Sequence, residues 1–372
     1  MALVLNDEQQ MLVEAASEFF NAKASTKAFR ELRASDRAMD PVLWQELVDF
    51  GWPAIIVPEQ LDGLDFGMSA LGLLAIEAGK NLSVSPLFSS AALGVNALLQ
   101  CTASPARDDL IQSIASGQTL VALAFNEANH FAPNNIALSA TKTEKGFVLN
   151  GNKAFVAEAS YADKLLVVAR HESDLQLFVV ASDTDGVTRQ KLELMDRRDY
   201  ANIEFSDVQI EPSLKLDWQA DNSSDAVASM TNVGALMAAA EMYGCIVESF
   251  ERTRVYLIDR EQFGRKIGSF QAVRHRAALM YTQIELLKSV LLDALHAVET
   301  NRKDASLAVS HVKTLANQTG RLVTQEAIQL HGGIGITDEL DIGLFYKRVR
   351  VLQSAYGDSN YHKDRFATLS AY

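Results

Sequence analysis

Between Asp225 and Leu330 the sequence has no proline and few glycines, and its apolar residues recur at helical spacing. Three long patterns fill this stretch, about Asp225 to Arg260, Phe270 to Thr300 and Ala305 to Leu330. Helices of that length, joined by short polar breaks, bury their apolar faces most readily against one another. The spacing therefore predicts a C-terminal bundle of long antiparallel helices.

The preceding sequence has two other textures. From Asp7 to about Gly117 the apolar residues again follow a helical period, as in Met11, Leu12, Ala15, Phe19 and Phe20. Pro41, Pro58 and Pro86 punctuate this region and Ser116-Gly117 ends it. From about Thr119 to Asp217 the pattern shifts towards strands. Phe147-Val148-Leu149 precedes Asn150-Gly151, a turn signal. The apolar runs Leu165 to Ala169 and Leu175 to Val180 are separated by polar His171 to Asp174. Ile203, Phe205, Val208 and Ile210 close a small antiparallel β-sandwich or barrel. Asp217 to Asp225 reads as a polar linker. The expected fold is thus mainly α with a central β-domain: an N-terminal α-helical domain (1–117), a middle β-domain (118–220) and a C-terminal four-helix bundle (221–372).

A length of 372 residues fits two or three folding units. The net charge of -13 argues against a nucleic-acid partner, although a few local arginines can still hold a pyrophosphate. Cys101 and Cys245 provide neither a disulfide framework nor metal-ligand spacing. Met1 to Gln10 lacks the layout of a signal peptide, and no stretch reads as a charge-free membrane span, so the cytoplasm is the expected location.

Four features can carry chemistry. Glu241 is the only charged residue between Asp225 and Glu248, and its helix face holds Gly234, Met237, Ala238, Gly244 and Cys245. Such a carboxylate suits a general base with room for a ligand beside it. It equally suits a helix-packing group paired with an arginine. Arg260-Glu261-Gln262-Phe263-Gly264, followed by Gly268-Ser269-Phe270-Gln271, marks a junction between helices where an arginine and exposed amides can bind phosphate, or simply a well-formed turn. Gln329-Leu330-His331-Gly332-Gly333-Ile334-Gly335 follows a helix, and its glycines fit a cap better than a dinucleotide fingerprint. Asp358, in Tyr356-Gly357-Asp358-Ser359-Asn360, is either a base or the N-cap of a last helix, Ser359 to Leu369, and capping is the simpler reading.

In combination and spacing these motifs resemble the acyl-CoA dehydrogenases over nearly the whole chain. The match includes Leu5 to Leu12, Asn150 to Val156, Ala162-Asp163, Arg260 to Gly264 with Phe270-Gln271, and Gln329 to Gly335. The resemblance implies a helical domain, a β-domain and a helical bundle, with FAD shared between subunits. It implies α,β-dehydrogenation of an acyl-CoA thioester, in which a carboxylate takes the α-proton and the flavin takes a hydride. It assigns Arg260, Phe263, Gln271, Gln329, Gly332 and Gly333 to the cofactor's pyrophosphate and adenosine, and Phe155 to its ring. It also implies an electron-transfer flavoprotein as electron acceptor.

The departures are informative. Where the family carries its catalytic glutamate in a Tyr-Glu-Gly-Thr segment, this sequence reads Tyr356-Gly357-Asp358-Ser359. Glu241 is the implied replacement, with Asp358 in reserve. Asn126 stands before Glu127 where the family often has a threonine, and Ala157 replaces a threonine that bonds near flavin N5. This combination resembles the smaller subunit of bacterial heterotetrameric acyl-CoA dehydrogenases acting on steroid-derived or pimeloyl-CoA thioesters, and implies a homologous partner chain. Two other functions fit the same fold: a non-catalytic partner completing another chain's FAD site, and a flavin oxidase with Asp358 as base.

Overall fold

The computed structural model describes residues 5–372, so Met1 to Val4 of the N-terminal segment lie outside the described residues. Six α-helices come first: α1 (Asp7–Lys23), α2 (Thr26–Ala34), α3 (Pro41–Asp49), α4 (Gly67–Asn81), α5 (Val95–Leu99) and α6 (Pro105–Ala115). A π-helical stretch, Leu87–Gly94, leads into α5. Local chemistry sets these boundaries. Asn6 caps α1 in a reciprocal capping box with Gln9, and Asp40 caps α3 with Pro41 behind it.

Eight strands follow: β1 (Val121–Ala124), β2 (Ser139–Thr143), β3 (Gly146–Ala157), β4 (Lys164–His171), β5 (Asp174–Ala181), β6 (Val187–Lys191), β7 (Tyr200–Ile210) and β8 (Lys215–Leu216). They form one sheet in the order β6-β7-β3-β2-β4-β5-β8, with β1 also paired to β4. Most ladders are antiparallel as expected, but β1 and β2 each pair with β4 in parallel, making the sheet mixed. Leu149, Leu165, Val167, Phe178 and Phe205 anchor its core.

Asn150-Gly151 is not the turn its sequence suggests. β3 runs straight through it, and the register shifts between Leu149 and Gly151 against β7. Asn150 bridges to Asp207, donating through Nδ2 (3.0 Å) and accepting the Asp207 amide (2.9 Å), so the pair forms a bulge within the strand. Nor is Asp217 to Asp225 a free linker. Trp218 is buried, its Nε1 donates to Leu175 O at 2.9 Å, and it bridges to Cys101.

The C-terminal helices are α7 (Ser223–Asp259), α8 (Gln271–Glu299), α9 (Ala305–His331), α10 (Ile342–Ser354) and α11 (Ser359–Leu369), with a short hairpin, β9 (Glu261–Gln262) and β10 (Arg265–Lys266), between α7 and α8. α9 packs against α8, α10 and α11. Contrary to the sequence expectation, α7 is long and apolar enough to cross a membrane by length and composition. Its most apolar window is nevertheless 89% buried inside the protein, as befits a core helix.

The chain divides into two compact units. One holds the segment up to Glu31 with Met68–Ser83 and Ala235–Tyr372; the other holds Leu32–Gly67 and Val84–Gly234. In the first unit α4 and α7 approach backbone to backbone. A Cβ placed on Gly244 would lie 2.0 Å from Ile76 O, and one on Gly79 would lie 2.2 Å from Glu241 O. Cys245 Sγ adds a 3.3 Å contact to Gly79 O.

Lys313 ties the end of the bundle together. It is fully buried, and its ammonium donates to Leu352 O (2.9 Å), Gly357 O (2.9 Å), Asn317 Oδ1 (3.1 Å) and Gln353 O (3.4 Å). It thereby satisfies the open carbonyls at the end of α10 and fixes the loop into α11.

Two outcomes follow from this packing. Gly244→Ala must push α4 from α7 and should cost about 1–3 kcal/mol in urea unfolding, with the sheet's circular-dichroism signal unchanged. Burial lowers the Lys313 pKa to about 7, opposed by Asp358. Below that value both folded and unfolded chains hold the proton. Between about 7 and about 10.4 only the unfolded chain does, so this group makes stability rise with pH across that window. Lys313→Met should remove that part of the slope, read as the difference between the two proteins' urea midpoints at pH 7 and pH 10.

Candidate functional site

α7 leads directly into the first cluster. The turn of the hairpin is Phe263-Gly264, with φ of +55° and +76°. Two positive φ values suit a two-residue hairpin, but only glycine adopts them freely. Phe263 therefore sits in a strained conformation with its ring 89% exposed, meeting Phe270 edge-on at 6.2 Å. Folding alone does not favour that placement.

Arg260 precedes the hairpin and is exposed. Its neighbours Arg252, Arg254 and Arg276 each pair with a carboxylate, Arg265 lies over the Phe270 ring at 4.0 Å and Arg274 donates to Ser269 O at 3.3 Å, whereas the Arg260 guanidinium has no such partner among the described residues. Gln271 begins α8, and Phe270 at the N-cap position offers no side-chain acceptor. The Val273 amide donates to Phe270 O at 3.1 Å, which leaves the amides of Gln271 and Ala272 open to an anion.

Gly332 and Gly333 follow α9 in a 3₁₀ arch, Gly332–Ile336. Both are exposed, and a Cβ on either would meet nothing within 4 Å. Gln329 lies exposed in the last turn of α9. His331 is structural: it is buried, its Nδ1 lies 2.8 Å from Ala327 O, and it stacks on Tyr256 at 4.4 Å. Burial lowers its pKa, keeping the ring neutral. An uncommitted guanidinium, an uncapped helix start and open glycine backbone are a donor set that fits a pyrophosphate-bearing cofactor such as FAD.

Glu241 lies in α7, roughly 27 Å before the end of the helix along its axis. Arg348 of α10 grips it in a bidentate pair, Nε to Oε1 at 2.6 Å and NH2 to Oε2 at 2.7 Å. Both residues are buried. The small residues beside Glu241 also have an explanation that the sequence reading missed. Gly244 and Cys245 admit helix α4, and they do not line a ligand space. Arg348 was visible in sequence only as part of Phe345-Tyr346-Lys347-Arg348, with nothing to point it at Glu241.

Asp358 caps α11, its Oδ1 accepting the amides of Asn360 (3.0 Å) and Tyr361 (2.9 Å). Its carboxylate is already engaged, which favours capping over the reserve base and weakens the oxidase alternative.

Phe155 belongs to the other unit. It has a φ of +53°, is 42% exposed, and its amide donates to Asn202 Oδ1 at 3.1 Å, where β3 shifts register against β7. Beside it Asn126 is spent on its own loop, donating to Ala128 O (2.7 Å) and accepting from the Ala132 amide (3.1 Å). Glu127 accepts the amides of Ala137 (2.7 Å) and Leu138 (3.0 Å) and pairs with Lys153 at 2.6 Å. Lys153 is fully buried, and burial lowers its pKa to about 8 against the pull of Glu127. These groups make a rigid edge that presents Phe155.

Comparison with known proteins gives this geometry its context. The N-terminal, middle and C-terminal domain models of the acyl-CoA dehydrogenases match residues 6–118, 123–208 and 225–369. Acyl-CoA dehydrogenase IpdE2 of Mycobacterium tuberculosis is 30% identical over 345 residues, 92% of this chain and 91% of its own. Among solved structures, a variant of the Tcur3481-Tcur3483 steroid acyl-CoA dehydrogenase superposes with a TM-score of 0.88 at 27% identity, covering 98% of each chain. The ChsE4-ChsE5 complex of Mycobacterium tuberculosis has the same fold, with a TM-score of 0.91 at 23% identity over 100% of this chain and 99% of its own. The chain belongs to the acyl-CoA dehydrogenase family of oxidoreductases.

Proposed function

We propose that the chain is a catalytic subunit of an FAD-dependent acyl-CoA dehydrogenase acting on a bulky, steroid-derived CoA thioester, with a homologous partner chain and an electron-transfer flavoprotein as acceptor. The observation that carries the cofactor assignment is Arg260, whose guanidinium is uncommitted where the neighbouring arginines meet a carboxylate, a ring or a backbone carbonyl. In this reading Arg260, Phe263, Gln271, Gln329, Gly332 and Gly333 hold the pyrophosphate and adenosine of a dinucleotide shared with a neighbouring subunit, and Phe155 would meet the ring of the dinucleotide held by this chain's own β-domain. When bound, FAD supplies the two-electron acceptor for the substrate's β-hydrogen.

The chain's own contribution is the base. Glu241 is a buried carboxylate whose plane Arg348 fixes through both oxygens. In this reading Glu241 receives the α-proton, in a geometry that the Arg348 clamp sets before substrate arrives. The substrate class and the partner draw support from the Tcur3481-Tcur3483 steroid enzyme described above, at 27% identity over nearly the whole chain.

The same clamp favours a second reading. If the Glu241–Arg348 pair serves helix packing alone, the chain completes the flavin site of its partner without removing a proton.

Substitution separates the two. Glu241→Gln should retain FAD and lower turnover of a steroid-derived CoA thioester by about 10²–10⁴-fold, with loss of α-proton exchange into D₂O. Arg348→Gln should cost about 3–5 kcal/mol of stability in urea unfolding, since it removes the buried ionic partner of the Glu241 carboxylate. Undiminished α-proton exchange in Glu241→Gln would establish the second reading and move the search for the base to the partner chain.

A further inference from the structure

The arch Gly332–Ile336 is exposed and glycine-rich, and such a segment spends much of its free energy on being ordered at all. Here it is held at both ends. At its start, His331 stacks on Tyr256 at 4.4 Å, and the Tyr256 hydroxyl donates to His331 O at 3.4 Å. Beyond its end, Asp341 accepts from Thr26 Oγ1 (2.7 Å), Arg30 Nε (2.8 Å) and Arg252 NH1 (2.7 Å). Arg252 is fixed in turn by Glu248 at 2.7 Å and lies over the Phe345 ring at 5.3 Å. The attractive surroundings of Asp341 outweigh its burial and lower its pKa, so the carboxylate stays charged.

Arg252 and Tyr256 are one turn apart on α7, and Arg260 follows one turn after Tyr256, its amide donating to Tyr256 O at 2.9 Å. Three successive turns of one helix end thus carry the strut beyond the arch, the strut before it, and the uncommitted guanidinium.

We infer that Tyr256 and Arg252, acting through His331 and Asp341, are positioning residues that hold the arch in register with Arg260 so that both engage one pyrophosphate. This rests on the reading of Arg260 and Gly333 as cofactor-binding. Neither Tyr256 nor Arg252 needs to touch the cofactor. Each removes motion from backbone that would otherwise have to be ordered on binding, which is preorganisation.

The test uses the full chain, with FAD as the ligand. Amide hydrogen exchange across 332–336 is measured without FAD, and FAD affinity is measured separately by quenching of flavin fluorescence. Tyr256→Leu and Asp341→Asn should each speed exchange in the arch and weaken FAD binding about tenfold. Tyr256→Phe, which keeps the stacking and loses the hydroxyl, should recover most of both. Two controls test the underlying reading: Arg260→Gln, and Gly333→Leu, whose Cβ would meet nothing within 4 Å. Both should weaken FAD binding, and Arg260→Gln should leave exchange in the arch unaltered.

Unchanged exchange in Tyr256→Leu and Asp341→Asn overturns the positioning role. Faster exchange with unaltered FAD affinity, while the controls lose affinity, overturns its link to the cofactor. If the unsubstituted chain binds no FAD alone, the affinities are measured on its complex with the homologous partner chain; wild-type affinity in both controls, or no FAD binding by that complex, overturns the cofactor reading and the inference with it. Exchange in the arch still shows in that case whether the struts hold it. If Tyr256→Leu fails to fold, the comparison of Tyr256→Phe and Asp341→Asn decides the same question.

Discussion

α7 is enclosed along its apolar length, and that constraint governs the groups around it. A helix buried on every side can carry a charge only where a partner meets it. Glu241 is met by Arg348 of α10, and Arg252 by Asp341 just before α10. Such pairs add little net stability, because desolvation offsets most of their attraction, but removing one partner is expensive. Their effect is therefore on alignment: sliding α10 against α7 would leave two buried or half-buried charges unmatched together. The same helix ends at Arg260, so the register that buries Glu241 also fixes where the guanidinium emerges.

Buried lysines do comparable work on the loops. Lys313 gathers the last carbonyls of α10 and that of Gly357, and Lys153 joins Phe125 O at 3.2 Å to Glu127. Each amine is fully buried, and each has its pKa lowered by that burial. A loop held from inside by one multidentate donor presents its outer residues as firmly as a helix would. This matters because the candidate groups here, Phe155, Phe263 and the glycine arch, all lie at bulges, turns and helix ends.

The long helices were legible because a proline-free run of apolar residues at helical spacing has few other ways to be buried; α7, α8 and α9 begin and end within two residues of the sequence reading. The Asp358 cap was legible for a local reason, since its bonds reach only to Asn360 and Tyr361. What depended on distant partners was not legible. Asn150-Gly151 scores as a turn on its own, and becomes a bulge because Asp207, far along the chain, completes its hydrogen bonds. Gly244 and Cys245 look like space beside a carboxylate until α4 occupies it. Arg348 lies 107 residues from Glu241, and no spacing rule connects them.

That pairing bears on what a base in this position can be. A lone buried carboxylate would be more basic, but it would resist ionisation and its plane could turn. The guanidinium removes the second freedom, holding both Glu241 oxygens in place. Asp358 shows the contrasting arrangement: both bonds fall on one oxygen, in an exposed cap, with the geometry of a helix start. Removal of a weakly acidic α-proton rewards correct placement as well as basicity, because a misdirected lone pair forfeits the gain from proximity. The Glu241–Arg348 pair in this sense secures orientation, and the close α4–α7 contact beside it is what allows the orientation to be kept.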